Sequence, residues 1–112
     1  MDIRAHLRFL PISAQKVRLV TDLVRGKSAN EALEMLRFVP NRAAVPVRKV
    51  LASAVANAEE NFGVSRDDLF VATIYADEAP TRRWRRFGAR GRFKPILRRS
   101  SHVTIILRER GA

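Results

Sequence analysis

The chain has 112 residues, 46% of them hydrophobic, and no cysteine. That length allows one domain with a real core and not two, and the cysteine count excludes disulfides, thiolate metal sites and a cysteine nucleophile. Against 11 Asp and Glu stand 22 Lys and Arg, a formal net charge of +11, which points to a polyanionic partner.

Asp2 to Leu10 alternates, with Ile3, Ala5, Leu7 and Phe9 on one side and Asp2, Arg4, His6 and Arg8 on the other. This predicts a half-buried strand with a basic outer face, ended by Pro11. Ser13 can cap a helix over about Ala14 to Arg25, with Val17, Val20, Leu23 and Val24 inward and Gly26 as its stop. Ser28-Ala-Asn-Glu31 reads as a capping box. It opens a short helix with Ala32, Leu33 and Leu36 inward, closed by Pro40. A third helix is expected over about Arg42 to Asn61. Its stripe is Val47, Val50, Leu51, Ala54, Val55 and Ala58, at helical spacing. Pro46 requires that this helix start near Val45 or bend there, and Gly63 stops it. Leu69 to Ala76 reads as a strand apolar on both faces. Val103, Ile105 and Leu107 lie on a returning strand.

Between those last strands lies Arg82 to Arg99, RRWRRFGARGRFKPILRR. Nine of its eighteen residues are basic and none is acidic; the other 94 residues hold 13 basic and 11 acidic ones. The net charge of the chain therefore sits almost wholly in this segment. Unlike a charged tail, it is interior and carries Trp84, Phe87, Phe93, Ile96 and Leu97. Gly88 and Gly91 sit at its centre, where a chain reversal would need positive φ. The simplest geometry is a β-hairpin arm of roughly 8 residues per strand, reaching on the order of 25 Å. The predicted fold is α+β: a three-stranded antiparallel sheet packed against three helices, with a long protruding basic β-hairpin. It forms a single domain, 1–112, with a globular body 1–79 and 101–112 and an arm 80–100.

No constellation for catalysis is visible. His6 and His102 are the only histidines, and neither has a carboxylate at ligand spacing. Gly88-x-x-Gly91 is too short for a dinucleotide or phosphate-loop fingerprint. No nucleophile, base and oxyanion site assembles, so neither enzyme activity nor a cofactor nor a metal is expected. Apolar runs fall far short of the ~20 residues of a membrane helix. The start, MDIRAHLRFL, has no signal-peptide core, and no membrane partner is expected. Dense arginine with interleaved aromatics is instead the composition of a nucleic-acid contact. Cations hold phosphates, and Trp84, Phe87 and Phe93 can stack on unpaired bases.

Three blocks, Ser13-x-x-Lys16-x-Arg18, LASAVANAEEN (Leu51 to Asn61) and PTRRWRRFGARGRFKPILRRSSH (Pro80 to His102), resemble bacterial-type large-subunit ribosomal protein family twenty-two. The resemblance covers essentially the whole chain. It implies a structural constituent of the large ribosomal subunit, in the cytoplasm, with a role in subunit assembly. The implied partners are large-subunit rRNA, neighbouring large-subunit ribosomal proteins and the nascent polypeptide at the wall of the exit tunnel, without an obligate homo-oligomer. The arm is implied to thread between rRNA domains and to line the tunnel with its tip. Carried over by position, the rRNA contacts are Arg82, Arg83, Trp84, Arg85, Arg86, Arg90, Arg92, Lys94, Arg98 and Arg99 on the arm, with Lys16 and Arg18 on the body. The tunnel-facing tip is Phe87, Gly88, Ala89, Arg90 and Gly91. The chain departs from the family pattern at Ala14 (usually Pro), Ala79 (usually Gly), Phe87-Gly88 (usually Pro-Arg) and Phe93 (usually small). The last three bear on the conformation of the tip. On composition alone, a DNA-architectural protein using its β-arm with Pro95 as a minor-groove wedge is the alternative. A transient RNA assembly factor is a third reading.

Overall fold

The computed structural model describes residues 2–80, 82–87 and 93–110, the strand segments 82–87 and 93–98 by their backbone. Strand β1 (Asp2–Leu10) leads into helix α1 (Ala14–Val24), then α2 (Ala29–Phe38) and α3 (Ala44–Phe62). Strands β2 (Leu69–Glu78), β3 (Arg82–Phe87), β4 (Phe93–Arg98) and β5 (Ser101–Glu109) follow. β1, β5 and β2 form an antiparallel sheet in that order, with β5 central, while β3 and β4 pair separately. The molecule measures 64 × 25 × 18 Å along its principal axes. It is the α+β architecture expected, with three helices and a three-stranded antiparallel sheet.

The helices cover one face of the sheet. α3 buries Val47, Val50, Leu51, Ala54, Val55 and Ala58, the whole predicted stripe. They meet Ile3, Leu69, Val71, Ile74, Val103, Ile105 and Leu107 of the sheet in one core. α3 begins at Ala44, not Arg42, so Pro46 falls in the first turn, where its missing N–H costs nothing. At the other end Gly63 takes φ +64° and the helix stops. α2 starts on Ser28, whose hydroxyl accepts the Glu31 amide at 3.2 Å. The return bond from the Glu31 side chain is absent among the described residues.

Four details depart from the sequence expectation. Leu23 is 43% exposed. The inward stripe of α1 is Val17, Val20, Thr21 and Val24, and Leu23 lies off it. Thr21 can be buried because its hydroxyl donates to the Arg18 carbonyl. Ser13 occupies the cap position of α1, but its hydroxyl makes no capping bond. β2 is not buried on both faces. Leu69 and Val71 point inward, then a bulge at Ala72 shifts the phase so that Ile74 and Ala76 do. A fixed two-residue period cannot express that shift, which is why both faces read as apolar. Lastly, β1 bulges between Leu7 and Leu10, turning Phe9 outward and Leu10 into the core.

The free edge of β2 is covered by α1. Arg18 Nε donates to the Ala76 carbonyl at 3.1 Å, and Arg25 to the Ile74 carbonyl at 2.8 Å. One arginine stands on α1 and the other at its C-cap, and together they satisfy two carbonyls of the β2 edge beyond Val71, which bonds to Gly26 and Lys27. On the far edge, Arg108 Nε pairs with Asp2 at 2.7 Å. That hydrogen bond holds the Asp2 carboxyl below its ordinary value.

Candidate nucleic-acid interface

β3 and β4 pair in register from Arg82 opposite Arg98 to Phe87 opposite Phe93. Six of these twelve residues are cations: Arg82, Arg83, Arg85, Arg86, Lys94 and Arg98. The register sets Arg82 against Arg98 and Arg86 against Lys94. Like charges directly opposite each other destabilise a strand pair. No Asp or Glu lies between Arg82 and Arg99 to relieve them. This ladder therefore carries a repulsion that an external anion would remove. Pro95 stands opposite Arg85; in a two-stranded pair every strand is an edge, and its missing N–H is tolerated. Each strand has six residues, about 20 Å of reach. The expected tip residues Gly88, Ala89, Arg90 and Gly91 lie outside the described residues, as does Arg92.

At the base of this ladder the Ala79 amide donates to the Ser100 carbonyl at 3.0 Å, and the Ser100 hydroxyl to the Pro80 carbonyl. Beside it opens a depression of about 840 Å³. Four separate segments line it: Ser13 and Lys16 at the start of α1, Asn41 and Arg42 before α3, Glu78 with Ala79 at the end of β2, and Arg99 with Ser100. Lys16, Arg42 and Arg99 are exposed. Glu78 is the one acid in the lining. α1 has no acidic residue in its first turn, and its first residues, Ala14 to Lys16, line the depression, so the positive end of that helix dipole reaches it. Three cations, one helix start and a concave floor are the elements of an anion seat.

The structure thus brings Lys16 and Arg99 to one place. Arg18, two residues on, leaves α1 in a different direction and spends its Nε on the β2 edge. Sequence reading missed Arg42 and Asn41. Nothing local marks them, since only the folded chain brings residues 13–16, 41–42 and 99–100 around one hollow.

The chain was compared with known proteins. The family model described as ribosomal protein L22p/L17e matches residues 5–108. Two relatives named large ribosomal subunit protein uL22 come from Thermoanaerobacter sp. (strain X514) and Thermoanaerobacter pseudethanolicus (strain ATCC 33223 / 39E). Each is 50% identical over 110 residues, covering 98% of this chain and 99% of its own.

Proposed function

Because the chain belongs to the ribosomal protein L22p/L17e family, we propose that it is a structural, non-catalytic protein of the large ribosomal subunit that grips rRNA with its basic β-ladder. The observation that carries this is the cross-strand register: Arg82 against Arg98 and Arg86 against Lys94, with no acid in the segment. Phosphates are the counter-charge such a ladder lacks, and arginine forks match their geometry. The depression at the base gives the rRNA backbone a second seat through Lys16, Arg42 and Arg99. On this reading residues 80–100 are the arm, 1–79 with 101–112 the body, and 87–91 the tip that lines the nascent-peptide tunnel. Leu19 and Leu23, one turn apart on α1 and 63% and 43% exposed, offer a neighbouring ribosomal protein an apolar seat.

The division into arm and body has its own test. The body sheet closes without β3 and β4. Replacing residues 81–99 with Asn-Gly, a two-residue hairpin turn, is expected to leave the melting temperature within a few degrees. Loss of cooperative unfolding would place the arm's base elsewhere.

Function is tested by gradient fractionation of lysate after a high-salt wash. Stoichiometric co-migration with the large subunit is expected; release by the wash would reduce the protein to a transient factor. Tip and strands are then expected to fail differently. Deleting Gly88 to Arg90 leaves incorporation intact but changes the response of in vitro translation to a tunnel-binding drug. Neutralising Arg83, Arg98 and Arg99 impairs incorporation itself. Identical defects from both variants would make the hairpin an anchor only.

A further inference from the structure

Among the described residues, Phe9 is the one non-glycine with positive φ, at 55°. That conformation is costly for a bulky side chain and persists only where its surroundings impose it. The β1 bulge imposes it here: Arg8 and Phe9 together face His102, and the Phe9 amide donates to His102 Nδ1 at 3.0 Å. The core does not use the ring. Phe9 is 61% exposed, while Leu10 takes the inward place. The imidazole of His102 meets it edge to face, with ring centres 4.8 Å apart. Broad phenyl surface is left to solvent, held at a fixed angle by a hydrogen-bonded bulge.

The setting of this ring is basic. Arg8 and Arg4 are exposed on the same edge strand, and neither forms an ion pair among the described residues. Of the acids nearby, Asp2 is engaged by Arg108, and Asp77 stands opposite His102 in the register. The ring also adjoins the arm, since His102 lies three residues beyond Arg99. A rigid exposed aromatic flanked by free arginines is the arrangement that binds a splayed base and its phosphates.

We infer that Phe9 is a stacking seat for an unpaired base of the rRNA, with Arg8 and Arg4 holding the adjoining phosphates. This rests on the rRNA-binding reading above and adds a third contact, on the edge strand β1. The test uses the full chain and deproteinised large-subunit rRNA. Phe9→Gly removes the ring and suits the positive φ, so the melting temperature is expected to hold or rise. Affinity is expected to fall roughly five- to hundredfold, the worth of one stacked base. Phe9→Asn, which also tolerates this backbone, is expected to match it, and Phe9→Trp to retain binding. With benzoylphenylalanine at position 9 in reconstituted large subunits, photo-crosslinking is expected to land on an rRNA nucleotide. A crosslink to a neighbouring ribosomal protein overturns the proposal. So does unchanged affinity of both Phe9→Gly and Phe9→Asn while the parent chain binds rRNA. A parent chain with no rRNA affinity overturns the broader reading instead, so the two failures are distinguishable.

Discussion

Replacing Arg83, Arg85, Arg86 and Arg98 with serine is expected to weaken binding to large-subunit rRNA by about three orders of magnitude near 0.1 M salt. Each phosphate neutralised releases condensed counterion and steepens the dependence of log K on log salt by roughly 0.7 to 0.9. Four lost contacts therefore flatten the slope by about three to four. The cost is concentrated because the arm holds nine cations while the rest of the chain is nearly balanced, 13 basic against 11 acidic residues. The same four positions changed to lysine keep the charge and lose the fork. That variant is expected to keep most of the slope and lose part of the affinity. The measurement is filter binding or fluorescence titration over a salt series. A slope that the serine variant leaves unchanged would mean that the body holds the RNA.

Leu51→Ala is expected to cost about 2–5 kcal/mol of folding stability, a drop in melting temperature of roughly 10–25 °C for a domain this size. Leu51 is fully buried at the centre of the α3 stripe. Ala44, Ala54 and Ala58 are buried on the same helix, and such small side chains have nothing to extend into the space left behind. A real cavity would remain. Leu19→Ala is the control: that residue is 63% exposed, and its loss is expected to stay within about 0.5 kcal/mol. Thermal unfolding of the two variants side by side is the measurement. Equal effects would mean that burial does not govern stability here.

The two leucines also show how far the sequence could be read. Leu51 sits at ideal helical spacing among five other small or branched apolar residues, and periodicity places it directly. Leu23 carries the same hydropathy and was expected inward, yet Thr21 takes the core position, because a hydroxyl that bonds back to its own helix passes as apolar. Regular periods were legible and interruptions of them were not. The bulges in β1 and β2 each add one residue, and that is enough to send Phe9 outward and to make β2 read as apolar on both faces. The candidate interface divides in the same way. The arm's charge is contiguous in sequence and stood out at once. The hollow at its base is assembled from four separate segments, and no local pattern announces Arg42.

The strand order β1-β5-β2 sets a constraint on the chain's own synthesis. The central strand is the last to be made, and it bonds to residues 2–10 on one side and 69–78 on the other. Until residues 101–109 are free, β1 and β2 lack the strand that joins them, and the helices have no finished sheet to pack on. Contacts this remote in sequence are slow to form, so folding cannot proceed outward from the first residues as they emerge. The growing polypeptide must present its nine-cation segment before it has a body. The first polyanion it meets is then in a position to act on the arm ahead of the fold, which makes association and closure of the sheet competing events rather than successive ones.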